Sequence, residues 1–174
     1  GYNVTGFDIS KDQLDAARLK AKTANVEIEF LQLDARNFQL DKKFDLAIML
    51  CEGGFSLMET DEENFEILKN VIQTLKTGGK FIFTTLSVLY PIFNQLKKFH
   101  DDNIVSGAFE NHSFDLMTFR DRNTMEIPDD DGKLRKLDCN ERFYSPSEIT
   151  WLLKSLNMKN IEIWGGEIGN YKKQ

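Results

Sequence analysis

The chain is poor in the residues from which metal sites, disulfide frameworks and membrane spans are built. Two cysteines, Cys51 and Cys139, stand 88 positions apart with no CxxC pair among the 174 residues. That spacing excludes the usual structural zinc arrangements and supports no disulfide. Reduced thiols in a cytoplasmic protein are therefore the expectation. Histidine is as scarce, with His100 and His112 alone, and neither sits in an HxxxH or HxxE pairing. The apolar runs are strand-sized, too short to span a membrane. No charged segment followed by an apolar one opens the chain, so no signal peptide is expected in it. Positive charge is also short: 22 Lys and Arg against 28 Asp and Glu give a net charge of −6. An acidic balance of this kind argues against a nucleic-acid or anionic-membrane partner and leaves a small molecule as the expected one.

What remains is enough for a core. Hydrophobic residues make up 41% of the chain and aromatic residues 11%, at a length suited to one domain. The first third alternates two periodicities. Tyr2 to Phe7 reads as a short strand ending in Asp8. Ser10 with Gln13 has the capping-box spacing and opens a helix to about Lys22. Val26 to Leu33 alternates as a strand near an edge and ends in Asp34, and Phe44 to Leu50 is a continuous apolar run suited to a strand buried on both faces. Thr60 with Glu63 opens a second helix through Leu75, and Lys76 to Lys80 reads as a helix stop and turn before a strand through Thr85. Val88 to Phe99 is expected to be helical, with Pro91 in its first turn.

The texture then changes. Residues 113–127 and 134–143 are β-prone and separated by Asp129-Asp130-Asp131-Gly132, a hairpin signal. A division follows: 1–100 as a partial cofactor-binding core, 101–143 as an inserted β-rich lobe able to act as lid or substrate cover, and 144–174 as a return to the core. Ser145, Pro146 and Glu148 open the next helix, and Met158 to Trp164 is expected as a further strand. Strands alternating with helices predict an α/β, doubly wound, mostly parallel sheet with an inserted hairpin lobe. Ligands of such sheets bind beyond the carboxyl ends of the strands, where Asp8, Asp34, Cys51 and Glu52 fall.

Each of these residues admits two readings. Asp8 can accept from both hydroxyls of a ribose, or help cap the following helix. Asp34 can accept from an exocyclic amine of adenine, or support its own turn. Glu52 beside Gly53 and Gly54 can be a general base or structural. Cys51 has no neighbouring group to activate its thiol. His100 or His112 can be a base, against the commoner reading of a surface or satisfied histidine. The aromatic series Phe109, Phe114, Phe119, Phe143 and Tyr144 can wall a pocket or form the lobe's own core. Arg120 and Arg122 are expected in solvent, with anion binding as the alternative.

The succession Val-Thr-Gly-Phe-Asp-Ile-Ser, Leu-Asp-Ala-Arg, Phe-Asp-Leu-Ala-Ile-Met-Leu and Leu-Lys-Thr-Gly-Gly-Lys-Phe-Ile-Phe resembles class I S-adenosylmethionine-dependent methyltransferases over about residues 1–87. The resemblance implies a Rossmann-like fold and S-adenosyl-L-methionine as cofactor. It places the cofactor ribose at Asp8, with Ile9 beside it, the adenine at Asp34 with the Ala35 backbone, and the methionine moiety at Leu50, Cys51 and Glu52. Thr77 stands where the family usually has proline. The family's Gly-rich loop and its first, central strand have no counterpart, nor does its last strand, so flanking residues are expected to complete the sheet. The strand-four loop lacks the Asn-Pro-Pro-Tyr form that resembles base-methylating enzymes. In-line methyl transfer to a small-molecule acceptor is the activity implied. A nicotinamide-dependent oxidoreductase, which also reads a ribose with an acid after its second strand, is one alternative, and a catalytically inactive methyltransferase-like binding domain is the other. The residues name no catalytic base, no metal ligand and no oligomeric state.

Overall fold

A computed structural model describes residues 1–51, 54–93, 111–129, 131–167 and 170–173. The first half keeps the expected βα rhythm: β1 (Thr5–Asp8), α1 (Lys11–Thr23), β2 (Glu29–Gln32), β3 (Phe44–Met49), α2 (Asp61–Gln73), β4 (Leu75–Phe83) and the short α3 (Leu89–Phe93). The expected extension of that last helix beyond Phe93 lies outside the described residues. Next come β5 (Asn111–Asp115), β6 (Arg120–Pro128) and β7 (Leu134–Arg142), then α4 (Pro146–Ser155), β8 (Trp164–Glu167) and β9 (Asn170–Lys173).

The helices begin where their caps require. Ser10 and Thr60 each accept from the backbone N–H three residues on. Ser145 and Glu148 form the reciprocal box, with Pro146 in the first turn.

Among the described residues the parallel part of the fold consists of two separate pairs rather than one continuous sheet. β1 pairs parallel with β2 and β3 parallel with β4. Among the described residues, β1 and β3 have no other strand partner. β4 starts earlier than expected and carries the Lys-Thr-Gly-Gly segment inside it. Phe44 faces Leu75 but Leu46 faces Lys80, so the intervening residues bulge out. Glycine is required there: a Cβ on Gly79 would lie 2.9 Å from the Lys76 carbonyl oxygen, and Gly78 has φ +80°.

The lobe is a three-stranded antiparallel sheet, β5-β6-β7. It is tied to the loop after β3 by Arg142 N–H donating to the Ser56 carbonyl, and Tyr144 continues beside Ser87 in a parallel bridge.

One expectation is corrected. Residues 158–163 form no strand, and β8 begins only at Trp164, turning back antiparallel onto β9. Met158 and Ile161 pack against the core, but among the described residues no neighbouring strand takes up the backbone of this segment. Apolar alternation records burial of side chains, whereas a strand also needs a ladder partner.

The core lies between α2, α4 and the β3–β4 pair: Phe55, Ile67, Leu68, Tyr144, Ile149 and Leu153, with Phe81 and Phe83 beside them. Phe55 is fully buried, stacked on Tyr144 at 4.8 Å and edge-on to Phe83 at 5.7 Å.

Candidate cofactor and acceptor site

The two acids nominated by their strand ends are brought side by side. Asp8 closes β1 opposite Gln32 on β2, and Leu33 N–H donates to the Asp8 carbonyl, so Asp34 follows two residues past Asp8's ladder partner. Both carboxylates therefore stand at one carboxyl edge of a parallel pair, the side at which such sheets bind ligands. Asp8 accepts the Ser10 N–H through Oδ1 at 2.8 Å, an Asx turn that turns the chain into α1. Among the described residues its second oxygen is uncommitted. Ile9 is exposed beside it, its carbonyl held by Gln32 Nε2 at 3.0 Å.

Asp34 is more heavily engaged. Its Oδ1 accepts from the Arg36 backbone at 2.9 Å and from Arg36 Nε at 3.0 Å, and its Oδ2 accepts from Arg36 Nη2 at 2.7 Å. Hydrogen bonding to that guanidinium holds the carboxyl below its ordinary range. Arg36 Nη1 reaches Glu63 of α2 at 3.4 Å, while Asn70 Nδ2 donates to the Ala35 and Arg36 carbonyls. The carboxylate thus supports its own loop, as the turn reading expects, and both of its oxygens are engaged by Arg36.

Leu50 and Cys51 follow β3 and are both exposed. Cys51 has φ +54°, and its thiol is free. Glu52 lies outside the described residues, as do His100 and Phe109. From Phe55 the chain dives into the core. Buried Ser56 donates its N–H to Asn64 Oδ1 at 2.9 Å and shares a hydroxyl contact with Thr85.

The lobe meets this loop through charges that sequence reasoning misplaced. Arg120, expected in solvent, is 6% exposed. Its Nη2 bonds Asp61 at 2.6 Å, and its Nη1 reaches the Met58 carbonyl and Asn140 Oδ1. Arg142, which no motif nominated, is also buried. It pairs with Glu148 at 2.7 Å and Asp61 at 3.4 Å, and its guanidinium lies 4.6 Å from the Tyr144 ring centroid. Burial favours the neutral form of Glu148, but the Ser145 N–H and Arg142 outweigh it and hold the carboxyl below its usual range. Burial pushes the Tyr144 phenol far above its usual value. The available signal was the ladder itself, which sets Arg120 opposite Arg142 and so demands acid nearby.

His112 is buried inside the lobe with Nε2 2.6 Å from Asp121 Oδ1, so it is not an accessible base. Phe114 packs edge-on to Phe143 at the lobe, whereas Tyr144 stacks on Phe55 in the main core. Among the described residues no cluster of three metal-ligating side chains occurs, and no helix is long and apolar enough to cross a membrane.

Residues 1–79 match the family described as "Methyltransferase domain". A ubiquinone biosynthesis O-methyltransferase of Rickettsia bellii is 23% identical over 165 residues, covering 95% of this chain and 56% of that protein. A putative methyltransferase of Bacillus subtilis is 33% identical over 84 residues, 48% of this chain and 33% of the relative. The chain thus spans about half the length, or less, of the curated relatives it matches. Among solved structures, an S-adenosylmethionine-dependent methyltransferase from Clostridium acetobutylicum superposes with a TM-score of 0.61 at 21% identity, covering 89% of this chain and 63% of the other. The CcbJ methyltransferase from Streptomyces caelestis gives a TM-score of 0.62 at 15% identity, with 90% and 64% covered.

Proposed function

We propose an enzyme that moves a methyl group from S-adenosylmethionine to a small-molecule acceptor, a reading supported by the match of residues 1–79 to the family described as "Methyltransferase domain" and by a fold like that of S-adenosylmethionine-dependent methyltransferases. The observation that carries the reading is the pair of adjacent strand-end carboxylates, Asp8 and Asp34, on the parallel pair β1–β2. Asp8, with one oxygen uncommitted, would hold the ribose hydroxyls beside Ile9. Asp34 and the Ala35 backbone would meet the adenine, and Leu50, Cys51 and Glu52 would flank the methionine end.

When bound, the cofactor supplies a reactive sulfonium methyl. The chain's own part is then to align the acceptor and exclude water. We assign residues 101–143 to acceptor selection, between a cofactor core at 1–100 and its return at 144–174. The net charge of −6 fits a small acceptor rather than nucleic acid, and the two free cysteines fit the cytoplasm.

Calorimetric titration with S-adenosylhomocysteine, with NADH as comparator, tests the reading. Micromolar binding of S-adenosylhomocysteine alone is expected. Binding of NADH alone would replace the cofactor, and binding of neither would leave a methyltransferase-like fold without the activity.

A further inference from the structure

A cavity of about 340 Å³ opens between the lobe sheet and the loop that leads from β3 into α2. Its polar wall is set by strand register. Ser113, Arg122 and Asn140 form one row across β5-β6-β7, and Thr124 with Asp138 forms the next. Glu59 closes the cavity from the loop side.

The wall is fixed from behind. Asn140 donates to Glu59 Oε2 at 2.9 Å and accepts from the buried Arg120, which Asp61 holds in turn. Thr124 donates to Asp138 Oδ1 at 2.9 Å.

The charges are arranged in an unusual way. Arg122 and Asp138 occupy diagonal positions on neighbouring strands, where opposite charges ordinarily pair. Among the described residues, however, Arg122 is in no ion pair, and Glu59 and Asp138 are held only by neutral donors. Asp115, on the same face as Arg122, gives its carboxylate to the Met117 and Thr118 N–H groups and lies within electrostatic reach of Arg122 without forming an ion pair with it. Arg122 and Asp138 on the sheet and Glu59 on the loop thus line one small space without closing an ion pair among them. Its size suits a small metabolite.

We propose that this cavity is the acceptor-recognition subsite and that it takes a compact zwitterion of the amino-acid class, with carboxylate on Arg122 and ammonium between Glu59 and Asp138. The proposal rests on the methyl-transfer reading and deepens it by naming the substrate class. A carboxylate binds a guanidinium in a forked geometry, and an ammonium offers three donors to the two acids. Half of such a molecule would leave one of the two charge sets unanswered.

The test is calorimetric titration of the protein with the twenty free amino acids, with and without saturating S-adenosylhomocysteine. Their decarboxylated amines and deaminated acids serve as matched halves. At least one amino acid is expected to bind, with each half about tenfold weaker, and Arg122→Gln or Asp138→Asn is expected to cost about tenfold or more, the range of a lost charged hydrogen bond. Both variants should bind S-adenosylhomocysteine as the unaltered protein does, because neither residue belongs to the strand-end site, and an unchanged melting temperature checks their folding. Binding of no amino acid, or binding indifferent to Arg122→Gln, overturns the proposal while the cofactor reading stands. Failure of S-adenosylhomocysteine to bind overturns the cofactor reading separately.

Discussion

Residues 1–50 bury two large apolar side chains, Leu14 and Phe38, and leave Asp8 and Ile9 open to solvent. The lobe and its junction do the reverse, burying Arg120, Asp121, Asn123 and Arg142 along with Phe143 and Tyr144. A strand-end carboxylate in water costs little to display and contributes little to folding, so it is free to serve a ligand. Buried guanidiniums cannot be displayed in that way, because each needs its acid nearby. The difference predicts that variants of the two regions separate by readout: the core and lobe junction should move stability, and the strand ends should move binding.

The largest effect is expected at Phe55, which is fully buried between Tyr144 and Phe83. Phe55→Ala removes both ring contacts and leaves a cavity at the centre of the core, costing about 4 kcal/mol by chemical denaturation. A loss under about 1 kcal/mol would mean that the lobe junction does not rest on this core, and the comparison would fail at its strongest point.

Asp61→Ala comes next. Asp61 is itself 55% exposed, yet it answers two side chains that are 7% and 8% exposed, Arg120 and Arg142. Removing one partner of a wholly buried pair costs about 3–5 kcal/mol. Solvent at Asp61 and the second partner Glu148 reduce the expected loss to about 2 kcal/mol. Asp61→Asn, which keeps an acceptor, should recover part of it. An unchanged denaturation midpoint in Asp61→Ala would show that the junction is held by packing alone.

How far each region was legible in the sequence follows the same division. Asp8, Asp34 and the loop at Leu50 could be read because strand ends and capping pairs are local signals, written within a few residues. Even the Arg36 contact to Asp34 spans only two positions. Arg120 and Arg142 were not legible. Alternation along Arg-Asp-Arg-Asn-Thr looks polar on both faces, and the groups that hold the buried Arg120, the Met58 carbonyl and Asp61, lie some 60 residues earlier. The expected strand at 158–164 failed for a related reason. Its apolar period was real, but whether a neighbour offers a ladder is a property of the whole sheet.

The smallest effect sharpens the comparison most. Asp8→Ala removes a carboxylate that is exposed and makes one backbone contact, to Ser10 N–H. Ser10 still caps α1 through Gln13 N–H, so the helix keeps its start and stability should change little. If the ribose hydroxyls bind there, the loss of charged hydrogen bonds should weaken S-adenosylhomocysteine by about 1–3 kcal/mol, read as a shift in Kd at unchanged melting temperature. Asp8→Asn, which keeps the Asx turn but not the charge, should fall between. Equal loss of stability and affinity in Asp8→Ala would place this acid with the structural group. Unchanged affinity would remove it from the site while leaving the fold untouched.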